Sequence, residues 1–145
     1  MFFIGGYDTS QGPFDVYVRE GEPILVPLLN FVDTQDPVAT EDQYVSQFEQ
    51  ADATLFATLD GEPIDNLQAG LIKTDFFSAG AAQPQSWAVN AGGAVVGSNL
   101  APSEGVGYWI VLQGLSAGTH TLDFGGQTTF NGGFSVHTTD TLHVA

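Results

Sequence analysis

"GYWIVLQGLSAGTHTLDFGG", residues 107–126, places two apolar runs on either side of a glycine-punctuated turn. Within 118–124, Leu122 and Phe124 share a parity with His120, while Thr119, Thr121 and Asp123 face the other way, because successive strand residues point to opposite faces. This reads as strand, turn, strand, with one side buried. His120 is expected to point towards the core just after the turn and bond back to loop backbone, as the corner tyrosine of many sandwiches does.

Working outward, further runs have the same character: 14–19, 23–29, 53–59, 71–77, 132–137 and 141–145 are rich in Val, Ile, Leu, Phe and Thr and are bounded by turn residues. "LDGEPI" at 59–64 predicts a tight hairpin, with Asp60 and Gly61 supplying the backbone freedom of a two-residue loop. One helix is expected in "TEDQYVSQFEQA", residues 40–51. There Thr40 and Gln43 have capping-box spacing, and Tyr44, Val45 and Phe48 share a face. Residues 79–105 are rich in Gly, Ala and Ser. They predict a long surface loop with short strands around Trp87–Val89 and Ala94–Val96. The expected fold is all-β, an antiparallel β-sandwich of immunoglobulin-like or jelly-roll type with one short helix, over a single domain 1–145.

Several short pieces carry a resemblance. Gly107, Tyr108 and Trp109 on one strand, then Leu115, Gly118, His120, Phe124, Gly125 and Gly126, form a G-Y-W…L-x-x-G-x-H-x-x-x-F-G-G pattern. With the opening "FFIGG", the segment "VREGEPILVPLLN" and the hairpin "ATLDGEPI", it resembles a group of uncharacterised secreted β-sandwich proteins of bacteria. The resemblance implies the sandwich fold and secretion, and no activity. The last strand departs from the group's pattern, with Asp140 where an aromatic residue would fall. On one regular strand Asp140 would share a face with Phe134, Val136 and Leu142. A bulge near Thr138–Asp140 is therefore expected, since an unpaired core carboxylate costs several kcal/mol.

The charge balance narrows the partners. Seventeen acids stand against Arg19 and Lys73, a formal net charge of −15. Nucleic acid and anionic membranes need clustered Lys or Arg and are not expected as partners. Cations are. Excess carboxylate also fits a saline habitat, where self-repulsion is screened; a plain solvating surface is the alternative. There is no cysteine, so disulfides and thiolate chemistry are excluded. The opening "MFFIGGYDTS" has neither a basic n-region nor a long apolar h-region, so secretion or cell-surface display is expected without an export signal visible in this chain.

Candidate chemistry follows from the same residues. Nine of the acids fall between Asp33 and Asp65, and "NFVDTQDP" followed by "TEDQ" brings Asn30, Asp33, Asp36, Glu41 and Asp42 into or beside one loop, oxygen ligands of the kind calcium takes. The spacing is not that of an EF-hand, and the alternative is a solvated acidic loop. Trp87 and Tyr108 are candidate sugar-stacking rings, the alternative being that the tryptophans pin core and loop. His137 and His143 share outward parity if their strand is continuous, which makes a zinc or copper site conceivable. No G-x-S-x-G elbow occurs to support a serine hydrolase. The expected function is a secreted, non-catalytic binding or assembly module of surface, matrix or adhesin type, stabilised by calcium. Its partner is a glycan or a second copy joined through an edge strand such as that of "MFFIGG". The alternatives are a carbohydrate-binding module and a small hydrolase working from the end loops.

Overall fold

The computed structural model describes residues 2–3, 13–90 and 92–145; of residues 2–3 and Trp87 it describes the backbone. Along the chain run β1 (Phe2–Phe3), β2 (Asp15–Val18), β3 (Ile24–Thr34), α1 (Val38–Gln50), β4 (Ala53–Leu59), β5 (Glu62–Pro63), β6 (Leu71–Lys73), α2 (Trp87–Asn90), β7 (Ser103–Leu112), β8 (Gly118–Thr128) and β9 (Phe134–Val144). The strands form a four-stranded sheet, β1-β3-β7-β6, and a five-stranded sheet, β2-β9-β8-β4-β5. The protein is thus mostly β with two sheets, consistent with a sandwich. Two pairings depart from the expected antiparallel pattern: β1 lies parallel to β3, and β2 parallel to β9. Both bring a short N-terminal strand beside one that is distant from it or joined by a long connection, as parallel pairing requires. The strand in "MFFIGG" therefore pairs within its own chain; Met1 and residues 4–6 of that stretch lie outside the described residues.

The chain divides into two compact units. The first comprises Met1–Asn30, Ala51–Ile72 and Gly107–Ala145 and contains the whole five-stranded sheet. The expected hairpin is present: Asp60 and Gly61 both take positive φ (53° and 84°), the geometry of a two-residue turn that suits strand twist, and β4 pairs with β5 through Leu59 and Glu62. The strand of the opening motif runs further than expected, to Thr128. It keeps an unbroken antiparallel register with β9 from Gly118↔Val144 to Thr128↔Phe134, and with β4 from Leu59↔Leu122 to Ala53↔Thr128. Leu122, Phe124, Leu142 and Val144 from this sheet are buried, as are Ile24, Val26 and Leu28 of β3. Each such side chain contributes about 1.5–3 kcal/mol through apolar burial.

The paired glycines have a steric cause. A Cβ on Gly125, at φ 156°, would collide with the Val136 carbonyl of β9. One on Gly126 would sit 2.8 Å from Leu55 Cδ2 and 2.9 Å from the Thr54 carbonyl of β4. The central strand is squeezed from both neighbours, and only glycine fits.

The expected bulge near Asp140 is absent. The ladder of β9 is regular, and Thr138, Asp140, Leu142 and Val144 all face inward. Asp140 is fully buried, with Oδ1 accepting a long 3.4 Å hydrogen bond from the Phe14 N–H and Oδ2 without a partner. Burial pushes its carboxyl above the usual aspartate range, the Phe14 bond opposing only in part. The fold meets the cost of a core acid by favouring its proton rather than by breaking the strand.

The second unit comprises Phe31–Gln50 and Lys73–Val106. Its helix α1 begins two residues earlier than the expected cap. The Thr40–Gln43 box is not formed; instead the Glu41 carboxylate reaches back to accept the Asp36 N–H at 3.1 Å. The buried face is Glu41, Val45 and Phe48, with Phe48 stacked on Phe31 at 6.3 Å, while Tyr44 is exposed. Residues 79–105 are more ordered than a surface loop. Antiparallel bridges join Phe77 to Ser103 and Ala81 to Asn99, and Trp87–Asn90 is a short second helix where a strand was expected. Ala94–Val96 is not a strand. Ala82, Ala88 and Leu100 form a small core with Val89 and Ala94 against it. Small residues let backbone segments approach closely here, which composition alone made resemble a flexible loop.

Asp140→Asn keeps the shape and the acceptor for Phe14 while removing the ionisation. Because the folded carboxyl titrates above its unfolded value, wild-type stability is greatest below the unfolded pKa and falls as pH rises through the folded one. Urea unfolding at pH 8 is expected to show the variant more stable by about 1–3 kcal/mol, an advantage that shrinks by pH 4. A less stable variant at pH 8 would contradict this account of the site.

Candidate functional site

The second unit gathers most of its charge in one place. Asp33 is the penultimate residue of β3, Asp36 follows in the turn where Gln35 takes a φ of 69°, Glu41 and Asp42 lie in α1, Lys73 ends β6 and Glu104 is the second residue of β7. Glu41 and Glu104 are 0% and 2% exposed. The Asp33 carboxyl accepts the Thr34 N–H at 3.0 Å and lies against that of Asp36. Lys73 Nζ donates to Asp42 at 2.7 Å and meets Glu104 Oε1 at 3.1 Å, and these two hydrogen bonds hold its ammonium well above the usual lysine range. One oxygen each of Asp33, Glu41 and Glu104 is buried with no hydrogen-bond partner. Burial pushes the Glu41 carboxyl up, and the charges of Asp33, Asp36 and Glu104 push it further. Burial is also the main cause of the raised Asp33 carboxyl, with Asp36 adding to it.

Of the residues expected around a cation, Asp33, Asp36 and Glu41 are brought together, and Asp42 is tied to the group through Lys73. Asn30 belongs to the first unit, where its Cα and Cβ pack against Gly107. Sequence reasoning missed Glu104 and Lys73. A lone acid at the mouth of the apolar run 103–112 was the available signal. Among the described residues no group of three or more His, Cys, Asp or Glu side chains is placed to hold a metal ion.

Every histidine in the chain is tied to an aspartate of the five-stranded sheet or its turns. His120 keeps the expected parity and the expected loop bond: its Nε2 donates to the Ser116 carbonyl at 2.9 Å and its Nδ1 to Asp60 Oδ2 at 2.7 Å. Both ring nitrogens are therefore donors, which is the imidazolium form. The Asp60 bond, then the Ser116 carbonyl, raise the imidazole above its ordinary value. In return the His120 hydrogen bond, then the Thr121 N–H, lower Asp60. His137 Nε2 meets Asp123 Oδ1 at 2.8 Å, the same oxygen that accepts the Thr139 hydroxyl at 2.6 Å. His143 Nε2 meets Asp15 Oδ1 at 2.8 Å, and its ring stacks on Tyr17 at 4.6 Å. With β9 continuous, His137 and His143 share the outward face, yet six residues of strand separate them by about 20 Å, too far to hold one metal ion.

The two rings expected to stack on a sugar are placed differently. Tyr108 is 5% exposed in β7, and the Trp87 side chain lies outside what is described. The exposed rings among the described residues are instead Tyr17, Tyr44, Phe56, Phe76, Phe77 and Phe134. Beside Phe134 a groove of about 620 Å³ is lined by Asp52, Thr54, Gln127, Thr129 and Ser135, with Gly132 and Gly133 forming one wall. Thr54, Gln127 and Ser135 occupy one rung across β4, β8 and β9.

The His120–Asp60 pair predicts a pH window. The raised histidine stabilises fully below its unfolded pKa and loses that effect as pH rises through its folded value, whereas the lowered aspartate loses its effect as pH falls through its own. Thermal melts of wild type and His120→Gln should differ most between the ordinary aspartate and histidine values, about pH 4–6.5, and converge in alkali. A difference that grows above pH 8 would contradict the assignment.

No family model matches the chain, and no curated protein matches it. Among solved structures, that titled "Solution Structure of Amebosin" aligns over 90% of this chain and 88% of its own at 9% identity, with a TM-score of 0.29. A likeness that low transfers neither fold nor function.

Proposed function

We propose that the protein is a secreted or cell-surface module that works by binding or assembly and not by catalysis, with an immunoglobulin-like or jelly-roll sandwich as its frame. The observation that carries this reading is the commitment of the imidazoles. His120 spends both ring nitrogens, on Asp60 and the Ser116 carbonyl, which leaves it no lone pair for general-base work, and His137 and His143 each spend Nε2 on an aspartate across the sheet. The net charge of −15 supports a partner that is neutral or cationic. Edge strands β2 and β5, four and two residues long, supply the places where a second copy could pair.

A carbohydrate-binding reading is favoured by the groove beside Phe134. It offers hydroxyls from Thr54, Thr129 and Ser135, an amide from Gln127, a carboxylate from Asp52 and one ring, and no cation lines it. Such a set matches a neutral polyhydroxylated ligand, with planar polar groups for vicinal hydroxyls and a ring for a C–H face.

Light scattering and calorimetric titration against neutral hexasaccharides of glucose, xylose, mannose and N-acetylglucosamine separate these readings. Assembly predicts a mass that is a defined multiple of the monomer. Sugar binding predicts a monomer with saturable heat, lost in Gln127→Ala and kept in His143→Ala at the far end of β9. Turnover of a chromogenic ester or glycoside by the purified protein would overturn the non-catalytic reading.

A further inference from the structure

We propose that Glu41 and Glu104, with Asp33 and Asp36, form a calcium site in the second unit. The inference rests on the binding-module reading only for its extracellular setting.

Acids collect on many protein surfaces, and what distinguishes this group is burial. Glu41 and Glu104 have almost no exposure, yet each keeps one carboxylate oxygen without a hydrogen bond, and so does Asp33. The other oxygens are already used: Glu41 holds the Asp36 N–H, Asp33 holds the Thr34 N–H, and Glu104 holds Lys73. The side chains are thereby fixed at one end and unsatisfied at the other. Glu41 also lies within the fields of Asp33, Asp36 and Glu104, all of its own sign. Lys73 is the one cation bonded here, and it is shared between Glu104 and Asp42. Buried carboxylates with like charges beside them are relieved by a proton or a cation.

The chemistry selects the cation. The donors are carboxylate oxygens with no imidazole or thiolate among them, which suits a hard ion. They come from a strand end, a turn, a helix and a second strand, an irregular set that calcium accepts and magnesium, with its octahedral demand, does not. As they stand the carboxylates are not placed to hold an ion, so binding has to draw them together and add water or backbone oxygen. The expected affinity is about 10⁻⁴–10⁻³ M, that of extracellular calcium modules. Asn30 drops out of the expected ligand set, Asp42 serves Lys73, and Glu104 enters it.

The test uses the whole chain stripped with chelator. Its melting temperature should rise on adding millimolar calcium, rise less with magnesium, and not rise with sodium chloride of equal ionic strength. Glu104→Gln should weaken calcium binding in titration calorimetry at least about tenfold. Glu62→Gln, on β5 outside the cluster, should behave as wild type. If Glu104→Gln fails to fold, Glu41→Gln supplies the same calcium-binding readout. No calcium shift in wild type, an equal shift with magnesium or sodium chloride, or a calcium shift retained by the glutamine variants would each overturn the proposal. Any of these leaves the oligomer mass and sugar titrations, and the binding reading they test, untouched.

Discussion

The register of β8 between β4 and β9 governs the first unit. It runs without offset along all of β8 against β9 and from Leu122 to Thr128 against β4, and it decides which face of each residue pair is buried. A slip of one residue would turn Leu122, Phe124 and Leu142 out of the core and bring Thr121, Asp123 and Thr141 into it. The glycine pair at 125 and 126 tightens this constraint, because the backbones of β9 and β4 approach there too closely for any Cβ. The histidine pairs lie on the same frame: His137 bonds across the ladder to Asp123, His143 across the next strand pair to Asp15, and His120 ties the end of β8 to the β4–β5 turn. Cross-strand and turn bonds of this kind hold the alignment that apolar burial selects.

Buried acid is the second theme, and it is met in two ways. Asp140 is solitary, set among apolar neighbours with a single long hydrogen bond, and burial alone shifts it towards its protonated form. Glu41 sits among other carboxylates, whose repulsion adds to its desolvation, and beside it Glu104 is paired with a lysine. A lone buried carboxyl is neutralised most cheaply by a proton. A group of them can instead share one divalent ion, the role proposed for the acids of the second unit.

Much of the fold was legible because it follows from period and turn chemistry. The run 53–59, the Asp60-Gly61 hairpin and the alternation through Leu122 and Phe124 are local signals, and the structure repeats them. Strand ends were less legible. β3, β7 and β8 extend through Asn30–Thr34, Ser103–Val106 and Gly125–Thr128, where polar or glycine residues hide a strand that tertiary packing supports. The segment 79–105 was misread for a related reason: its packing rests on alanine and backbone bridges, which carry no periodic signal. At the acidic cluster, the loop residues Asp33, Asp36 and Glu41 stood out by proximity in sequence. Glu104 is brought to them only by the fold, from more than sixty residues away. Alternation alone places Asp140 on the core face, and the bulge expected to remove it is unnecessary because burial raises its carboxyl towards the neutral form.

The most direct measurement is a crystal structure from crystals grown with calcium, with diffraction recorded at a long wavelength where calcium scatters anomalously. The account predicts one anomalous peak per chain between the Glu41 and Glu104 carboxylates, with Asp33 and Asp36 oxygens turned towards it. A map without a peak, in which those carboxyls share protons or turn to water, would contradict it.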